Sequence, residues 1–126
     1  VFIRQIYQDH TVTDNCIGDL YSDLFGSIEV KAFQGNGPNS FSTNLKFDAL
    51  FFVDARKLSN NGEIKIYFYT GGSDKFKNIP INKNDTFDSL GKRGIRPKIS
   101  FNKLIDKIYP DTEVIFTGTI DELLNL

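Results

Sequence analysis

The 126-residue sequence contains no methionine, no tryptophan, one cysteine and one histidine. Cys16 therefore cannot form an internal disulfide and has no second thiol for a zinc cluster; beside Ile17 it reads as a small core residue. His10 lies among Gln8, Asp9 and Thr11 and reads as a solvated helix end or loop, which excludes a metal centre built on histidines. Apolar runs are short too. Ala49-Leu50-Phe51-Phe52-Val53 is far below the roughly 18 to 20 residues that a bilayer-spanning helix needs. The opening Val1-Phe2-Ile3-Arg4-Gln5-Ile6 has one positive charge and no small-residue cleavage site after a continuous apolar stretch, so it lacks the form of a secretory signal. Together these absences predict a cytoplasmic protein with no membrane segment. The lack of methionine even at the first position predicts a sequence that begins inside a longer polypeptide and lacks an upstream segment.

A hydrophobic share of 40% over 126 residues supports one globular domain, 1–126, and is too little chain for two. Net charge is −1, but the average conceals an asymmetry. Between Lys75 and Lys107 there are nine basic residues against three acidic ones, enough for one side to bind phosphates while acids elsewhere hold a cation.

Phe2, Ile3, Ile6 and Tyr7 have helical spacing and predict the tail of a helix ending near Asp9. Val12 to Tyr21 reads as a strand, followed after Gly26 by the period-two segment Ser27-Ile28-Glu29-Val30-Lys31-Ala32-Phe33, its antiparallel neighbour. Gln34 to Ser40, with two glycines and a proline, is a loop. Asn44 to Ala49 is ambiguous between coil and a short helical turn. Leu50 to Asp54 and Glu63 to Tyr69 are strands separated by the turn Ser59-Asn60-Asn61-Gly62, and Gly71-Gly72 closes this meander. Ser73 to Pro97 shows no periodicity. Ser100 caps a predicted helix running through Leu104, Ile105 and Ile108 to Tyr109, ended by Pro110. Glu113 to Phe116 suits a last strand, and Thr119-Ile120-Asp121-Glu122 has the capping-box form. The sum is an α/β (α+β) domain, a mixed central sheet of about five strands flanked by helices.

Strand residues two apart share a face, so Glu29 and Lys31 stand side by side while Ile28, Val30 and Ala32 turn away. If the preceding strand pairs with this one, Asp19 reaches the same edge, and two carboxylates and an amine surround one point. Oxygen ligands in this number suit magnesium, which keeps several waters and shares a substrate phosphate; the Val30 carbonyl offers a further ligand. Phosphodiester hydrolysis uses such parts: a cation to polarise the phosphoryl oxygen and activate water, and a positive side chain such as Lys31 near the developing charge. Asp14 and Asp23 are rivals for the first metal position, but a solvated-loop role suits both better.

Gly18-Asp19 followed after a turn by Ile28-Glu29-Val30-Lys31 resembles the PD-(D/E)XK nuclease signature, with Gly18 in place of the proline. The wider context, from Glu29 through Gly37-Pro38 to Asn39, then Phe47 to Ala55 and Gly94 to Phe101, is similar to small type II restriction endonucleases of that superfamily. The resemblance implies a restriction-endonuclease-like core in which Asp19 and Glu29 bind Mg2+, with Mn2+ able to substitute, and Lys31 assists the nucleophilic water. It implies cleavage of double-stranded DNA leaving a 5′ phosphate, and a homodimer follows because duplex cleavage needs two centres. Some members add a glutamate from an upstream helix, where this sequence offers Gln5 and Gln8.

Beside such a centre, Gln34 reads either as a DNA contact or as a turn residue. Asn36, Asn39 and Ser40, in a polar loop that permits close backbone approach, are candidates to meet a groove or backbone. Lys92-Arg93-Gly94-Ile95-Arg96-Pro97-Lys98 places four cations in seven residues; Lys92, Arg93, Arg96 and Lys98 are candidates for phosphate or guanine contacts, against a solvated surface. Asp54 and Arg56 form either a surface ion pair or part of the site. Two other functions stay open on the sequence: a junction resolvase or repair nuclease of the same core, and a non-catalytic DNA- or protein-binding module.

Overall fold

The computed structural model of the chain describes residues 19–38 and 41–126. A five-stranded sheet runs in the spatial order β1-β2-β3-β4-β5. Its strands are β1 (Leu20–Ser22), β2 (Gly26–Phe33), β3 (Ala49–Asp54), β4 (Glu63–Tyr69) and β5 (Thr112–Thr119). β2 and β3 are parallel, and the other neighbouring pairs are antiparallel. Between and after the strands lie α1 (Leu58–Asn61), α2 (Gly72–Lys77), α3 (Phe87–Lys92), α4 (Phe101–Ile108), a 3-10 turn at Tyr109–Asp111 and α5 (Ile120–Leu124). This is the mixed-sheet α+β core that the sequence pattern predicts.

The continuous apolar run of β3 exists because both faces of the sheet are covered there. Leu50 and Phe52 point into an aromatic core with Phe33, Phe41, Phe47, Tyr69, Phe76, Phe87 and Phe101, which α2, α3 and α4 close. Ala49 and Phe51 point into a second core with Ile28, Ile64, Ile66 and Phe68, which Leu58 of α1 and Leu123 of α5 reach. Most of these rings meet edge-on or tilted, as at Phe41–Phe87 (5.1 Å, 88°), which suits their quadrupoles. Burying each such side chain contributes roughly 1.5–3 kcal/mol.

The β1–β2 turn needs glycine. Gly26 has φ +81°, and a Cβ there would lie 2.2 Å from the Asp48 carboxylate. That carboxylate accepts from the Ser27 N–H (2.9 Å) while the Asp48 N–H donates to the Ser27 carbonyl (2.9 Å). Asp48 thus pins the start of β3 to the start of β2, and the parallel register that follows sets Glu29 opposite Leu50 and Lys31 opposite Phe52.

Several local expectations change. The helix expected before Asp9 and the strand's first part, from Val12, lie outside the described residues. Of that strand, Leu20 and Tyr21 are formed, in β1, which runs one residue further to Ser22. Ser73 to Pro97 contains two helices that the periodicity missed, because six residues make fewer than two turns. Thr86 and Ser89 form a reciprocal capping box at α3, the one local signal that marked it. Asn44 to Asp48 forms no helix, and the Ser59-Asn60-Asn61-Gly62 turn is instead the end of α1, with Gly62 left-handed. The last strand is longer than expected and carries a bulge opposite Ile66/Tyr67. The Ser100 cap and the Thr119–Glu122 capping box are formed as read from the sequence.

Candidate active site

Alternation along β2 directs Ile28 and Val30 into the second core and leaves Glu29 and Lys31 on the aromatic side, in line with buried Phe33. Asp19 immediately precedes β1. Its backbone N–H donates to the Ile28 carbonyl (2.9 Å), and its Oδ2 accepts from the Val30 N–H (2.8 Å). The first expected acid is thereby tied to the residue between the other two. In an extended strand a residue's N–H and C=O leave on the same edge, so the Val30 carbonyl also faces the Asp19 side.

The Lys31 ammonium lies 3.7 Å from Glu29 Oε1, both side chains being mostly buried (21% and 27% exposed). It also lies 5.3 Å from the ring centroid of Phe41. Burial pushes the Glu29 carboxyl above its ordinary range; the Lys31 ammonium pulls it down, and the negative charge of Asp19 pushes it up again. The two acids therefore feel each other, and Lys31 offsets only part of the cost.

Among the described residues no group of three or more His, Cys, Asp or Glu side chains is placed to hold a metal. The donor set at this edge is two carboxylates and one backbone carbonyl, all oxygen. It fits a hard cation that keeps much of its water, and a cation would relieve the repulsion that Glu29 experiences. Asp23, a rival in sequence, is exposed in the turn after β1. Asp14, the other rival, lies outside the described residues.

The loop after β2 is tied to the chain before α4, a juxtaposition that the sequence did not suggest. The Phe101 N–H donates to the Asn36 carbonyl (2.8 Å) and the Phe41 N–H to the Pro97 carbonyl (3.1 Å). Gly37 passes so close that a Cβ on it would lie 2.4 Å from the Phe101 nitrogen. Gln34 and Asn36 are exposed on this loop; Asn39 and Ser40 lie outside the described residues. The basic run divides in two. Lys92, the last residue of α3, pairs with Asp88 (2.9 Å), and Arg93 pairs with Asp85 (2.9 Å). Arg96 and Lys98 flank Pro97, are exposed, and make no ion pair among the described residues.

Arg56 is a clamp at the end of β3. Its Nε and Nη2 donate to the two oxygens of Asp54 (2.9 and 2.7 Å), Nη1 donates to Asn102 (3.1 Å), and the guanidinium lies over Phe33 and Phe101 (5.5 and 5.7 Å). Burial pushes the Asp54 carboxyl upward, but the hydrogen bonds and charge of Arg56 outweigh it and leave Asp54 below its ordinary value. The pair joins β3 to α4 beside the loop.

Residues 12–107 match the family model described as Bsp6I restriction endonuclease, a span that contains this whole constellation. The chain belongs to the Bsp6I restriction endonuclease family. A similar curated protein, the type II restriction enzyme Bsp6I of Bacillus sp. (strain RFL6), is 37% identical over 68 residues. That segment is 52% of this chain and 37% of the relative, so the match spans little more than a third of the relative's length. No solved structure matches the chain.

Proposed function

We propose that the protein is a type II restriction endonuclease that hydrolyses phosphodiester bonds of double-stranded DNA with Mg2+, Mn2+ substituting, and that it works in the cytoplasm as a homodimer. The observation that carries this reading is the convergence of Asp19, Glu29 and Lys31 on one edge of β2, in a chain of this family. No helix among the described residues is long and apolar enough to cross a membrane.

In this reading Asp19, Glu29 and the Val30 carbonyl would hold the cation. Bound there, magnesium supplies Lewis-acid polarisation of the phosphoryl oxygen and makes water a better nucleophile. Lys31 presents its ammonium beside the attacking water and the charge that develops on the phosphate. Arg96 and Lys98, which make no ion pair among the described residues, grip the DNA backbone. Lys92 and Arg93 contribute once their ion pairs with Asp88 and Asp85 yield to phosphate. Gln34 and Asn36, together with Asn39 and Ser40, supply amide and hydroxyl groups at the groove.

Incubating plasmid DNA with the protein, with and without magnesium, and mapping the ends tests the proposal. Discrete fragments with 5′ phosphates are expected only with metal, and neither Glu29→Gln nor Lys31→Ala should produce them. Unchanged cleavage by both variants would remove these residues from the mechanism, and binding without cleavage by the wild type would favour a non-catalytic DNA-binding module.

A further inference from the structure

We propose that Phe41 is a positioning residue for Lys31, its ring face holding the ammonium at the Glu29 carboxylate. The proposal rests on the nuclease reading of Lys31. A lysine ammonium is a point charge on a flexible four-carbon stem, so a lysine that acts at one spot needs a support. At 3.7 Å the contact with Glu29 is longer than a good hydrogen bond. The Phe41 ring, 5.3 Å from Nζ, adds a cation–π attraction that strengthens as the pair loses water.

Phe41 is itself immobilised. It is fully buried, meets Phe87 edge-on at 5.1 Å and Phe76 at 5.4 Å, and its backbone N–H is bonded to Pro97. A second carboxylate in its place would also hold the lysine, but it would neutralise the charge and repel a DNA phosphate. An aromatic face attracts the cation without adding a negative charge of its own. The bond to Pro97 also ties this support to the segment that carries Arg96 and Lys98, the residues assigned to DNA binding.

Phe41→Leu keeps a buried apolar side chain and removes the ring. With magnesium and a plasmid that the wild type cuts, kcat is expected to fall about tenfold, with KM and the DNA Kd in calcium unchanged. In the 1H–13C spectrum of the wild-type chain, the ε-methylene protons of Lys31 are expected upfield of those of the other lysines, because they adjoin the ammonium that lies over the ring. A folded Phe41→Leu with wild-type kcat, or a rise in KM and Kd that accounts for the whole loss, would overturn the proposal. So would a wild-type Lys31 signal without an upfield shift, which decides the matter even if Phe41→Leu does not fold. A wild type that cuts no DNA while the shift is present would instead defeat the nuclease reading.

Discussion

Glu29→Gln separates the cost of a charge from its use. In the metal-free protein the folded-state pKa of Glu29 is raised, so the charged form weakens the fold, and that penalty grows as pH rises through the raised value. Gln removes the charge at nearly constant volume. At neutral pH without metal, Glu29→Gln should therefore melt no lower than wild type, and preferably higher. With metal the order reverses. A site with Kd of about 1 mM at about 10 mM magnesium gains RT ln 11, about 1.4 kcal/mol, whereas a Kd of about 10 mM leaves about 0.4 kcal/mol. For a chain of this length, at about 4 °C per kcal/mol, those gains are rises in Tm of about 6 °C and about 2 °C. Circular dichroism melts suit the measurement, since the chain has five tyrosines and no tryptophan. Asp19→Asn should lose the metal response in the same way. It keeps an oxygen to accept from Val30, whereas Asp19→Ala also loses that bond and about 0.5–1 kcal/mol of metal-free stability. Asp23→Asn, in the exposed turn, should keep the full response. A full magnesium response in Glu29→Gln, or a metal-free Tm well below wild type, would refute the reasoning.

Arg96→Ala and Lys98→Ala should each lower the log–log salt slope of DNA binding by about one if they contact phosphate, measured by fluorescence anisotropy over a salt series. Arg93→Ala, whose charge is paired with Asp85, should change the slope less; an equal change in all three would show that the ion pairs do not sort these residues. Asp54→Asn should cost about 1 kcal/mol at pH 7 by urea unfolding, given a bidentate, half-buried pair. Because the folded-state pKa of Asp54 is lowered, that difference is present above the ordinary value of 3.8 and should vanish as pH falls through the folded value; a gap that persists in acid would assign the stability to something else. Gly37→Ala should cost about 1–3 kcal/mol by forcing the loop from Phe101, and a neutral effect in a thermal melt would mean that the loop is not docked there.

The strand β2 and its two faces were legible from the sequence because period-two alternation is a local property. Ile28 and Val30 on one side and Glu29, Lys31 and Phe33 on the other follow from extended backbone alone, and the Ser100 and Thr119 caps follow from hydroxyls placed one residue before a helix. The runs in β3 and β4 were legible for the same reason. Helices α2 and α3 were not, since six residues held by burying Phe76, Phe87 and Leu90 owe their form to the core rather than to their own pattern. What the sequence determined by itself is the pairing of an acid and a lysine on one face of an apolar strand, with Asp19 a turn away. Only the tertiary structure decided that Asp19 bonds to Val30, that Phe41 lies beneath Lys31, and that Arg96 and Lys98 make no ion pair among the described residues while Lys92 and Arg93 do. The contacts of Asp19 and Phe41 bridge separate segments of the chain, and tertiary packing sets their geometry, which no local periodicity encodes.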